Sequence, residues 1–231
     1  MYNRLTLLLL LFILVSNSFA LEAPTDTLLS VVIDKSDSRF QSSLEEYHKS
    51  DEWKIWSVPI GTLSTRVTST GSLKDQGKIT FIVDNLEDLN LKTAWIGEKT
   101  RNPIGQKFSF EFFIHPESCF GCPTTFYGVI NLFNGYCQSN KTWKNYSRVK
   151  SMKVLYNDSL LCMVGLKDTW QMQTIDLSRY FENQYSNKKK LQKLINVKTG
   201  DVLRFEITAI YPGEQYKNVA ISEFVAEGAK N

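Results

Sequence analysis

Two stretches of the chain alternate apolar and polar positions without interruption. In KFSFEFFI, Phe108, Phe110, Phe112 and Ile114 fall on one side, with Lys107, Ser109 and Glu111 on the other. In DVLRFEITAIY, Leu203, Phe205, Ile207, Ala209 and Tyr211 oppose Arg204, Glu206 and Thr208. A period of two marks a strand with one buried and one solvated face, as in antiparallel sheets. Between them lie TFYGVINLF, apolar throughout and so expected near the middle of a sheet, then SMKVLY and LLCMVGL joined by Asn157-Asp158, and WQMQTIDL. The Asn-Asp junction suits a two-residue hairpin turn. Near the end, alternation from Val219 places Val219, Ile221, Glu223 and Val225 on one face, so a carboxylate shares a face with three aliphatic side chains.

Helical periodicity is confined to SRFQSSLEEYHKSDEW, where Phe40, Leu44 and Tyr47 recur at helical spacing and predict one short amphipathic helix. From about Thr62 turn residues separate short apolar runs. The break from Ser178 to Gly200 carries SNKKKLQKL, which reads as a solvated loop or short helix whose lysines keep the surface soluble. The pattern predicts an all-β fold, an antiparallel β-sandwich of jelly-roll type preceded by a short N-terminal helix. The expected divisions are residues 1–20, 21–62 and 63–228.

The first of these is a targeting segment. Arg4 precedes the 11-residue apolar run Leu5 to Val15, and Ser18 and Ala20 offer small residues for cleavage, as in a secretory signal peptide. The run is well short of the roughly 20 residues that span a bilayer. The product is expected to be exported and soluble. Removing Arg4 from the 27 basic residues leaves 26 against 24 acidic ones, too even a balance for nucleic-acid or anionic-membrane binding by bulk charge. Four cysteines in an exported chain point to disulfides. The C-F-G-C of Cys119 and Cys122 lacks both the following helix of a redox motif and the second close pair of a zinc site, since Cys137 and Cys162 stand alone.

No catalytic constellation is visible. His48 and His115 are the only histidines, and G-x-S-x-G, H-E-x-x-H and a phosphate-cradling glycine loop are all missing. A glycoside hydrolase working through two carboxylates has no fixed spacing to search for. About 40 residues lie between the apolar leader and the strand-rich region, too few for a separate catalytic domain.

Three stretches fall into one pattern: NLEDLNLKTAWIGEKTRNPIGQKFSFEF; INLFNGY with KNYSRVKSMKVLYND and LKDTWQMQTIDL; and YPGEQYKNVAISEF. Together, from about Ser64 to Gly228, they resemble the discoidin-like, galactose-binding-like β-sandwich, and within it the NADase-type glycan-binding domain. The resemblance implies a non-enzymatic module that recognises a glycan or another cell-surface ligand. A protein-interaction module, acting as adaptor or inhibitor, comes next, and a hydrolase third. The family is mostly bacterial, so the sequons at Asn140, Asn145 and Asn157 would be used only in a eukaryotic secretory pathway.

Relatives often hold a structural Ca²⁺ where a D-G-D-x-x-T turn meets the last strand. Mapped onto this sequence, the candidate ligands are Asp88, Asn90, the Thr93 carbonyl and Glu223. Without the ion, Glu223 would accept hydrogen bonds from loop amides. Two departures stand out: Leu89 replaces the glycine, which argues against a positive-φ turn, and Asn218 replaces an aspartate. For the ligand, the loop NGYCQSNKTWKNYSR supplies aromatic faces in Tyr136, Trp143 and Tyr146 and directional donors in Asn134, Asn145 and Arg148. Tyr136 and Arg148 could equally brace that loop against the sheet. Trp95 reads as core, and Trp53, Trp56 and Trp170 as packing residues.

Overall fold

A computed structural model describes residues 27–32, 65–98, 102–113, 124–184 and 195–230. The leader, the expected helix around Phe40 to Tyr47, Trp53, Trp56, both histidines, Cys119, Cys122 and the lysines of SNKKKLQKL lie outside the described residues.

The described residues form two sheets packed face to face. One runs in the order β1 (Thr27–Leu29), β8 (Ser159–Gly165), β7 (Tyr146–Tyr156), β11 (Val202–Tyr211), β5 (Lys107–Phe112) and β3 (Thr65–Ser69). The other runs β2 (Val31–Val32), β9 (Gln173–Asp176), β6 (Thr124–Asn134), β12 (Tyr216–Lys230) and β4 (Trp95–Ile96), with β10 (Ile195–Val197) also pairing with β6. Pairing is antiparallel except for β1 with β8 and a short parallel contact of β12 with β7, which joins the sheets at one end. The chain is thus the all-β sandwich that its alternation predicts.

The inward faces meet in a phenylalanine-rich core. Phe108, Phe110 and Phe112 are fully buried from β5, as are Leu203, Phe205 and Ile207 from β11. Phe224 of β12 reaches across to Phe108, Phe110 and Phe205 at centroid separations of 4.9, 5.7 and 4.7 Å. Aromatic pairs at such distances add to the area that they bury. In β11 the register shifts after Ile207, and beyond it Ala209 and Tyr211 are only half-buried. The β7–β8 hairpin turns through Asn157 and Asp158 at φ 48° and 64°, the left-handed pair that a tight hairpin needs. TFYGVINLF forms β6, which has neighbours on both edges, as its continuous apolarity implies.

Two local expectations are corrected. Val219 and Ile221 enter the main core, but so do Phe224 and Ala226, so the alternation of β12 changes phase between Ile221 and Phe224. Glu223 therefore does not share a face with Val219 and Ile221. Cys137 and Cys162 are thiols, not disulfide partners, because they are buried in different apolar clusters. Burial pushes the Cys137 thiol well above its ordinary pKa, so it is an inert packing residue.

Candidate functional site

The turn from Asp88 to Thr93 is wired by its own side chains. The Asp88 carboxylate accepts from the Asn90 amide (3.0 Å) and the Thr93 hydroxyl (2.6 Å), and Asn90 Oδ1 accepts from the Lys92 amide (3.1 Å). Leu89 holds φ 55° despite its side chain. The positive-φ turn is therefore kept without glycine, at a cost of about 1–2 kcal/mol. What over-determines it is packing, since Leu89 lies against the cluster of Leu91, Phe133, Cys137, Met172 and Val225.

Glu223 ties the last strand to this turn. It is 1% exposed, and its Oε1 accepts from the Asn90 amide at 2.6 Å. Beside it Ser222 donates to the Thr93 carbonyl (3.0 Å) and accepts from the Cys137 amide (2.9 Å). The second carboxylate oxygen of Glu223 is buried with no hydrogen-bond partner. Burial, followed by the charge of the nearby Asp88 carboxyl, holds Glu223 well above the usual carboxylate range. Two carboxylates so near one another favour a proton or a cation between them. Next along the turn, burial pushes Glu87 up to about 7, against the single donor of the Thr65 hydroxyl, which lies 2.9 and 2.6 Å from its two carboxylate oxygens. Among the described residues no cluster of three or more His, Cys, Asp or Glu forms a metal cage. The orphaned buried oxygen of Glu223 and the Asp88 carboxylate are nonetheless oxygen donors that suit a hard cation, while the carbonyls of Asn90 and Thr93 already accept from Thr93 and from the Ser222 hydroxyl.

The expected ligand loop is more structured than a loop. Residues Asn140–Asn145 form a helix, α1, capped by Ser139 in a capping box with Thr142, and β7 begins at Tyr146. Asn134 is fully buried and spends both ends of its amide on Val149, donating to its carbonyl (2.8 Å) and accepting from its N–H (3.0 Å). Tyr136 is buried and donates to the Lys92 carbonyl at 3.1 Å. Arg148 forks onto Asp168 at 2.7 and 3.2 Å and also donates to the carbonyls of Trp143 and Tyr146. These three side chains brace the loop against the sheet.

Trp143 donates to the Asn134 carbonyl at 2.8 Å, and its ring lies under the Arg148 guanidinium at 4.5 Å. Gly135, at φ 108°, makes room for that indole, which a Cβ would approach to 2.6 Å. Trp170 is the neighbouring indole at 6.5 Å, and Trp95 is buried, donating to the Gly71 carbonyl. Asn145 and Tyr146 keep partial exposure. Sequence reasoning missed Tyr216, which sits beside Tyr146 with ring centroids 4.6 Å apart and is 39% exposed. Only the parallel pairing of β12 with β7 reveals that neighbour, 70 positions away in the chain. Asp168, the partner that occupies Arg148, was missed for the same reason.

Comparison with known proteins supplies the class. The family model of the NAD glycohydrolase translocation F5/8 type C domain matches residues 60–227, and the chain belongs to that family. No curated protein matches it in sequence. Among solved structures it is similar to a putative chitobiase fragment from Bacteroides thetaiotaomicron at 16% identity, covering 73% of this chain and 89% of that one, with a TM-score of 0.44. It is also similar to the arabinofuranosyltransferase AftD from Mycobacteria at 10% identity, covering 72% of this chain and 11% of that one, with a TM-score of 0.43. The chain thus spans about a tenth of the transferase's length.

Proposed function

We propose that the protein is an exported, non-enzymatic module that recognises a carbohydrate through the end of the sandwich carrying Asn134 to Arg148. The observation that supports this most is a binding-module fold whose strand ends hold half-exposed aromatic residues on a braced frame. Within that stretch Asn134, Tyr136 and Arg148 set the frame, and Asn145, Tyr146 and the half-buried Trp143 meet the ligand. A glycosidase needs two carboxyl groups separated by roughly 5–10 Å across a cleft. The Asp88 and Glu223 carboxylates instead share one donor, the Asn90 amide, and Glu223 is sealed from solvent. No helix among the described residues is long and apolar enough to cross a membrane.

A bound Ca²⁺ is part of this reading. Asp88, Asn90, Thr93 and Glu223 would hold it, and its role would be to clamp the turn to β12 near the ligand-bearing end. A glycan array probed with the mature protein in calcium-containing buffer tests the carbohydrate reading. Binding to a defined sugar class is expected. Failure to bind any sugar, together with capture of a defined protein partner at the same end, would replace it with the protein-interaction reading.

A further inference from the structure

We infer that Tyr216, seated on Tyr146, is the stacking platform for an acidic sugar, with the lysines of α1 and of the 213–218 turn as its cationic rim. The inference rests on the carbohydrate reading above and adds to it a residue and a ligand class.

The two rings lie 4.6 Å apart and inclined by 34°, so Tyr216 is stacked on Tyr146, their inner faces cover one another, and the outer face of the 39% exposed Tyr216 is the one left for a ligand. Tyr136 backs Tyr146 edge-on at 5.7 Å, and Phe81 in turn backs Tyr136 at 6.4 Å. The Tyr136 hydroxyl is committed to the Lys92 carbonyl. Tyr146 is partly exposed and Tyr216 is exposed, so both side chains reach solvent. An aromatic face with a polar tip is what a sugar ring needs, because its C–H face stacks while its hydroxyls hydrogen-bond.

The platform is held before any ligand arrives. The Gly213 amide donates to the Ser147 hydroxyl (3.1 Å), which donates to the Tyr216 carbonyl (3.2 Å). The amides of Glu214 and Gln215 donate to the carbonyls of Lys144 and Asn145 at 3.0 and 3.2 Å. The turn approaches so closely that a Cβ on Gly213 would lie 2.4 Å from the Asn145 carbonyl oxygen. Little ordering entropy is then left for binding to overcome.

Charge selects the ligand class. The helix Asn140–Asn145 and the 213–218 turn carry Lys141, Lys144 and Lys217 against the single acid Glu214. All four are exposed, and none joins an ion pair among the described residues. A local excess of two positive charges beside an aromatic platform fits a carboxylated or sulfated sugar better than a neutral one.

The experiment is an array of sialylated, uronic and sulfated glycans beside their neutral parents, read at low and physiological salt. Binding to acidic glycans that weakens with salt is expected. Tyr216→Ala should lower affinity by about tenfold or more. Tyr216→Leu, which preserves packing on Tyr146, should lose affinity with an unchanged melting temperature, so that folding and stacking are read apart. Lys144→Gln with Lys217→Gln should flatten the salt dependence. Binding confined to neutral glycans, or retained in full by Tyr216→Leu, overturns the inference and leaves the carbohydrate reading intact. Absence of all sugar binding removes both.

Discussion

Glu223→Gln is the substitution that separates a proton from a cation at the Asp88–Glu223 pair. In metal-free protein, burial and then the Asp88 charge raise the Glu223 carboxyl, which favours a proton on the pair. A glutamine is nearly isosteric with the protonated acid. Its oxygen can still accept from the Asn90 amide and its NH₂ can donate to Asp88, so the cost should stay below about 1 kcal/mol. Glu223→Ala instead loses the 2.6 Å bond to Asn90 and opens a cavity, for about 2–4 kcal/mol. The sign with pH is set by the raised carboxyl. The stabilisation from keeping the proton is full below the unfolded-state value and is lost as pH rises through the folded one. With Ca²⁺ at a hundred times its dissociation constant the wild type should gain about 2.7 kcal/mol. For a domain of this size that is roughly 5–10 °C in melting temperature. Glu223→Gln should gain far less, because it leaves one carboxylate. Differential scanning fluorimetry of the three proteins in EDTA and in millimolar Ca²⁺ reads all of this. A wild type unmoved by Ca²⁺ refutes the cation, and a glutamine variant as unstable as the alanine one in EDTA refutes the shared proton.

Asn134→Ala should destabilise the fold by about 2–4 kcal/mol, because it strips two partners from the buried Val149 backbone, and chemical denaturation will show this with or without ligand. Burial alone would raise the Asp201 carboxyl, but hydrogen bonds from the Tyr156 hydroxyl, the Lys198 amide and the Asn157 side chain hold it below its ordinary value. Its contribution is therefore present above the unfolded-state value and lost as pH falls through the folded one. Asp201→Asn should flatten the acid limb of a plot of melting temperature against pH.

Much of the fold is legible in short-range pattern. The alternation of β5 and β11, the uniform apolarity of β6 and the Asn157-Asp158 turn all appear in the structure where local sequence places them. Each depends only on residues two or three positions apart. The fastening of Glu223 to the Asp88 to Thr93 turn was likewise legible, through an ordered set of motifs. Its chemistry was less so, since the orphaned oxygen and its acidic neighbour come from segments 135 residues apart.

What the sequence by itself determined was the class: an all-β sandwich, its core phenylalanines and the family to which it belongs. Periodicity records which side of a strand is dry, and that is a local property. What only the tertiary structure decided was the use of each polar and aromatic side chain at the sandwich end. Asn134, Tyr136 and Arg148 carry the donors and rings that a ligand site wants, yet their capacity is consumed by Val149, Lys92 and Asp168. Tyr216 gained its partner only when β12 came to lie parallel to β7. A side chain's chemistry is written in its type, but whether that chemistry remains available depends on which distant groups reach it first.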